Sequence, residues 1–306
     1  MSDDEGCDGV DSRLDGLHRD LPEPKSHGLF GAKRGKAQLR LIEGSGRGAG
    51  ASREGSNDKP LLQAFSHLSS SLVQADAWRG LPGVPSVTRR IVDEARNTGE
   101  NDPVRLSFNH LRTSLLKTLR SNAWNRVAIA APTRGCGATF SALQLGLSLS
   151  GVPGSRTVLL DLNLYRPGLA AALGMPGTDM EGFLSGASGA GAHVKRADDA
   201  FAVAAAAGPA PQASHLLHGE NCALAIGKLM DDLTPDVLIC DMPPVLESDD
   251  LSAFLPQVDG VLLVADGTRT LPQHIADCER RLEGQARILG VILNRARQTG
   301  PAPAYA

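Results

Sequence analysis

The chain has 306 residues, 42% of them apolar, which is enough for one large domain or two small ones. Its formal charge of −3 sets up no global field toward nucleic acid or an anionic membrane, and no nucleic-acid partner is expected. No stretch approaches the roughly 18 apolar residues of a membrane span. The five cysteines (Cys7, Cys136, Cys222, Cys240, Cys278) fall at no paired metal spacing, so reduced thiols and a cytoplasmic protein are expected.

The chain opens on MSDDEGCDG, acidic and polar, unlike a signal peptide. Residues 1–59 are rich in Gly, Ser, Asp, Lys and Arg with no sustained period, and read as disordered. Their basic stretch (Lys33, Arg34, Lys36, Arg40, Arg47, Arg53) has the composition of a solvated linker more than of a phosphate- or lipid-binding tail. Residues 60–78 place Leu62, Phe65, Leu68, Leu72 and Val73 at helical spacing, so a short helix is expected there. It is either a docking peptide or a helix on its own domain. Residues 1–83 are thus taken as a disordered or linker region.

The pattern firms up over 84–297. Residues 103–121 put Leu106, Leu111, Leu115 and Leu119 on one face of an amphipathic helix. Short apolar runs follow at 126–131, 157–162, 201–206, 236–241, 260–265 and 288–293, separated by helical patterns. Runs apolar on both faces, alternating with helices, predict a doubly wound α/β fold with a mainly parallel sheet. Residues 185–197 (SGASGAGAHVKRA) read as a surface loop, and 298–306 as a flexible tail.

The first apolar run leads into Pro132-Thr133-Arg134-Gly135-Cys136-Gly137-Ala138-Thr139-Phe140 and then a helical run. Strand, glycine turn and helix form a phosphate-loop context: glycines let backbone N–H groups converge on an anion, and the helix N-terminus adds its dipole. Residues 133–140 are the predicted nucleotide contacts, with Thr139 placed to ligate magnesium. The expected G-K-[ST] element reads Gly137-Ala138-Thr139, without its lysine. The bland alternative is a tight βα turn with no ligand. Two further runs each put an acid at the carboxyl end of a strand, at Asp161 and Asp241, where a metal ion or activated water would lie.

Taken in order, these motifs resemble the bacterial tyrosine kinases of capsule and exopolysaccharide synthesis, relatives of the ParA/MinD-type P-loop ATPases. The likeness rests on Leu111-Arg112-Thr113, the loop at 131–139, Leu159 to Pro167, Asp241 to Leu246 and Gly290 to Arg295. It implies a P-loop fold that binds ATP or ADP with Mg2+ at Thr139, Asp161 and Asp241, with the two acids as catalytic groups. It also implies an adenine contact at Asn294, next to Arg295. The implied partner is a membrane polysaccharide co-polymerase that regulates chain length, with self-association into rings. That places the protein in the cytoplasm, peripheral at the inner membrane through its partner.

The departures from the pattern fall where chemistry is done. Ala138 replaces the lysine, and Asn163 replaces the second acid of the L-L-D-x-D motif. The oligomerising E-x-x-R-x-x-R falls on Leu106, Asn109 and Arg112, and the tail has one tyrosine, Tyr305. A lysine 4 Å from a phosphate charge is worth about 4 kcal/mol gross at an effective dielectric of 20. Asn163 has no carboxylate to act as base or share a metal's charge. The expectation is a regulatory kinase-like protein with impaired phosphotransfer. The alternatives are an active ATP-dependent tyrosine kinase or ATPase, with Arg134 or Arg166 over the phosphates, and a ParA/MinD-like positioning ATPase.

Overall fold

The computed structural model describes residues 77–99, 101–210 and 212–296. Residues 1–76 and 297–306, including most of the predicted helix at 60–78 and the tail with Tyr305, lie outside the described residues.

The predicted helix at 103–121 is α2 (Pro103–Asn122), preceded by α1 (Ser86–Arg96). It starts where its sequence says it should. The Asp102 side chain accepts the Val104 N–H at 2.9 Å, and Pro103 fills a first-turn position that needs no N–H donor. It ends at Ala123, which turns left-handed at φ 55°. Its buried stripe is Phe108, Leu111, Leu115 and Leu119. Leu106, expected in that stripe, is only half-buried; Phe108, three residues before Leu111, takes the place nearest the core.

Seven strands then form one sheet in the order β3-β4-β2-β5-β1-β6-β7. These are β1 (Arg126–Ala130), β2 (Thr157–Asp161), β3 (Lys195–Arg196), β4 (Phe201–Ala204), β5 (Val237–Asp241), β6 (Gly260–Asp266) and β7 (Ile288–Asn294). All neighbours are parallel except β3, which runs antiparallel to β4. The three central strands β2, β5 and β1 are buried almost throughout, as runs apolar on both faces require. The longer helices between them are α3 (Ala138–Ser150), α8 (Glu220–Leu233) and α10 (Pro272–Leu282). Shorter ones are α4 (Leu169–Leu173), α5 (Met180–Leu184), α6 (Ala190–His193), α7 (Ala213–His218) and α9 (Asp250–Phe254). This is the doubly wound α/β architecture expected from the sequence.

Two regions differ from expectation. Residues 185–197 are not a surface loop: they hold α6 and β3, with Val194 fully buried and Ala190, His193 and Ala197 nearly so. Small residues there allow close packing under the sheet, a property that reads as loop composition in the sequence. The second region is the lead-in to the domain. Trp78 is 1% exposed and Leu81 5% exposed, and both belong to the main core although they precede residue 84. The Trp78 indole N–H donates to the Asp198 carbonyl at 3.3 Å, and the Arg156 guanidinium stacks 5.3 Å from its ring centre. Residues 82–84 then pair with β3: Arg196 N–H donates to the Pro82 carbonyl at 2.7 Å, and Val84 N–H to the Arg196 carbonyl at 3.0 Å.

Among the described residues no helix is long and apolar enough to cross a membrane. Cys136, Cys222, Cys240 and Cys278 are all free and buried.

Candidate functional site

The site lies where β1, β2 and β5 end, at the carboxyl edge of a parallel sheet. β1 passes into the loop 131–137, and α3 begins at Ala138 with Gly137 as its cap. Gly137 has φ +96° and Gly135 φ +78°, the left-handed region that lets a loop wrap around an anion. None of the backbone N–H groups from Gly135 to Phe140 has an acceptor among the described residues. Six consecutive unpaired donors at the start of a thirteen-residue helix make an anion cradle.

Asp161 and Asp241 stand in register on adjacent parallel strands, so their side chains share a face. Both are fully buried. One oxygen of Asp161 accepts the N–H groups of Gly168 and Leu169, each at 3.1 Å, and so caps α4; the other has no hydrogen bond. Neither oxygen of Asp241 has one. Burial pushes the Asp161 pKa up to about 6, against the pull of the Leu169 and Gly168 N–H groups. Burial and then the neighbouring Asp161 carboxylate raise Asp241 well above the usual carboxylate range, while the Thr139 hydroxyl pulls the other way. Three buried, unpaired carboxylate oxygens beside a hydroxyl are the donor set of a hard divalent cation such as Mg2+, which takes one or two carboxylates and fills its other positions with water and phosphate. Among the described residues no group of three or more His, Cys, Asp or Glu ligands assembles, here or elsewhere.

The sequence-predicted residues divide. Of Thr133 to Phe140, the six from Gly135 onward carry the unpaired amides, with Ala138 half-buried at its N-terminal helical position and no lysine in the loop. Arg134 is turned away: its Nε donates to Glu247 Oε2 at 2.9 Å, and its backbone N–H donates to Oε1 of the same carboxylate at 2.7 Å. Arg166 is exposed and makes no hydrogen bond or ion pair through its side chain among the described residues. Glu247 thus holds the Arg134 side chain that could have stood in for the lysine. Asn294 and Arg295 do reach the loop, through its carbonyls. Asn294 Nδ2 donates to the Cys136 carbonyl at 2.9 Å, and Arg295 Nη1 to the Gly135 carbonyl at 3.0 Å.

Sequence reasoning missed two members of this neighbourhood, Asp266 and Arg269. The Asp266 carboxylate is fully buried and accepts from Thr268 N–H, Thr268 Oγ1, Arg269 Nε and Arg295 Nη1. Burial pushes its pKa up, but the bonds from Thr268, Arg295 and Arg269 prevail and hold it at about 2. The signal was there: Asp266 ends the β6 run, an acid at a strand's carboxyl end like Asp161 and Asp241.

The helix that carries the expected oligomerising motif faces inward at two of its three positions. Arg112 Nη1 donates to the Ser148 carbonyl at 2.9 Å, and the Ser148 hydroxyl donates to Asn109 Oδ1 at 2.9 Å. Both contacts tie α2 to the C-terminal turn of α3.

No family model matches the chain, and no curated protein matches it in sequence. Solved structures do match in fold. The VpsO kinase domain is 25% identical, with a TM-score of 0.55 over 63% of this chain and 96% of that one. The chimerical protein CapA2B2 is 21% identical, with a TM-score of 0.60 over 71% and 94%. The kinase domain of the Escherichia coli tyrosine kinase ETK is 23% identical, with a TM-score of 0.59 over 67% and 80%. Kinase domains, that of a bacterial tyrosine kinase among them, are therefore among the structural neighbours of this chain, and it shares their P-loop-type fold.

Proposed function

We propose that this chain is a tyrosine-kinase-like protein of exopolysaccharide or capsule production and export that binds nucleotide but transfers phosphate poorly. The observation that carries this reading is the loop itself: six unpaired amides beside two buried acids, with an alanine where the lysine's charge belongs. Amides, helix dipole and Thr139 hold the phosphates of ATP or ADP, and Asp161 and Asp241 offer their free oxygens to Mg2+. Bound there, Mg2+ supplies positive charge to the phosphate oxygens. Transfer suffers more than binding, because the lysine and a second carboxylate at Asn163 act most strongly on the charge that builds in the transition state. The protein then works by binding, in the cytoplasm at the inner membrane, to a membrane co-polymerase that regulates chain length.

Purified protein titrated with ADP and ATP, with and without Mg2+, and probed for phosphotyrosine and phosphate release, tests this. Binding in the micromolar-to-millimolar range without turnover is the expected result. Robust turnover abolished by Asp241→Ala overturns it in favour of an active kinase. No binding of either nucleotide overturns it as well.

A further inference from the structure

The phosphate loop is held from behind. Arg295 and Asn294, at the end of β7, bond the consecutive carbonyls of Gly135 and Cys136. In a trans peptide the C=O of one residue and the N–H of the next point in opposite directions. Pinning the Gly135 carbonyl toward Arg295 therefore turns the Cys136 N–H the other way, and pinning the Cys136 carbonyl toward Asn294 does the same for the Gly137 N–H. Both N–H groups lie in the run without acceptors. The clamping groups are themselves fixed. Asn294 Oδ1 accepts the Arg295 N–H at 3.0 Å, which orients its amide, and Arg295 is anchored on buried Asp266 at 2.6 Å. Arg269 is anchored on the same carboxylate at 3.2 Å, and its guanidinium fills the space beside Gly135, 2.7 Å from where a Cβ would stand.

We infer that Asp266, Arg295 and Asn294 form a brace that presets the phosphate loop for an anion, and that Arg295 with Arg269 restores positive charge that Ala138 does not provide. One buried carboxylate against two guanidiniums leaves a single net positive charge beside Gly135, the same net charge a loop lysine would bring. It acts from outside the loop, so it favours phosphate binding more than transfer. The ligand class is a di- or triphosphate, whose several negative charges the two guanidiniums attract through the loop. The unpaired, fully buried oxygens of Asp241, beside Thr139 at the start of α3, point independently to a phosphate-metal ligand at the same place.

The inference rests on the loop being a phosphate site, so its test separates the two ideas. Inorganic pyrophosphate is titrated by calorimetry against wild type, Asn294→Leu, Arg295→Met, Arg295→Lys and Arg269→Gln, at low and high salt. The backbone amides of Cys136 and Gly137 are followed by NMR in the ligand-free proteins. Asn294→Leu is expected to shift the Gly137 amide and weaken pyrophosphate by roughly three- to tenfold, and Arg295→Met to shift Cys136 and weaken it by tenfold or more. Arg295→Lys recovers part of the affinity. Arg269→Gln leaves both amides in place and removes only salt-dependent affinity, by roughly three- to tenfold. Unchanged amides and affinity in Asn294→Leu and Arg295→Met overturn the brace. Unchanged affinity at low salt in Arg269→Gln overturns the charge restoration. If wild type binds no pyrophosphate, the phosphate site and the charge restoration both fall, while the brace stands or falls on the amide shifts alone.

Discussion

Replacing Asp241 with asparagine should stabilise the ligand-free protein in alkaline solution and do nothing useful in acid. The reason is the cost of ionising Asp241, fully buried and without a hydrogen-bond partner, beside a second buried acid. An ordinary aspartate has a pKa near 3.8, and burial moves Asp161 up to about 6. Between those values the folded chain keeps a proton that the unfolded chain gives up. Stability therefore falls as pH rises from about 4 through about 6, and the full penalty is present above that window. For Asp161 that displacement corresponds to about 3 kcal/mol, a cost of its own burial that stays when Asp241 is replaced. Asp241 is raised too, first by its own burial and then by Asp161, so the pair opposes folding at neutral and alkaline pH. Asparagine has nearly the same shape but carries no charge. Its buried amide loses about 1 to 2 kcal/mol as an imperfectly paired polar group. A net gain at pH 8 is expected, read at roughly 2 to 4 °C in Tm for each kcal/mol in a domain of this size. Differential scanning calorimetry from pH 4 to pH 8 in chelator is the assay. The gain should vanish near pH 4. Adding ADP and Mg2+ should raise the wild type's Tm and leave the variant's nearly unchanged. An Asp241→Asn protein that melts below wild type at pH 8, or a difference that does not vary with pH, would show that the buried acids are not in electrostatic conflict.

Other outcomes follow from the same geometry. Gly137→Ala is expected to lower stability by about 1 to 3 kcal/mol, since φ +96° disfavours any side chain and the new Cβ would stand 2.2 Å from Asn294 Nδ2; adding Asn294→Ala should recover only part of the loss in Tm, because the backbone strain stays. Glu247→Ala releases Arg134, whose side chain is 61% exposed, so melting should change by no more than about 1 kcal/mol while pyrophosphate affinity holds or rises. A fall in affinity would instead give Glu247 a part in shaping the loop. Ala138→Lys should tighten ADP by roughly tenfold in calorimetry yet leave tyrosine phosphorylation weak, because Asn163 still lacks a carboxylate. Vigorous phosphorylation by that single variant would show that the alanine alone limits catalysis.

The parallel sheet was legible because its strands are apolar on both faces, a pattern few other structures tolerate. Each predicted run from 126 to 293 contains a strand within two residues of its expected ends. The two-residue strand β3 was not legible, since Lys195 and Arg196 are polar and the sheet gains them only through pairing with β4 and with residues 82–84. In the site, glycines at positive φ and acids at strand ends leave clear marks, so Gly135, Gly137, Asp161 and Asp241 could be found by position. The partner of a side chain leaves no such mark. Arg134 looked free to reach a phosphate until Glu247, over a hundred residues later, was seen to hold it. Asn294, expected from the motif as a base contact, also bonds the loop's own carbonyl, which the sequence does not mark.

The pairing of residues 82–84 with β3 determines how this protein can be cut. β3 is a terminal strand, and without those residues its outward N–H and C=O groups would stand bare, a template for strands of another molecule. Removing Trp78 with them would leave a cavity the size of an indole beside the Arg156 guanidinium, a loss of about 3 to 5 kcal/mol. A fragment begun at residue 84 would thus carry a sticky border and a hollow core. One begun before residue 77 keeps its own edge guard, and is the form in which solubility and assembly should be judged.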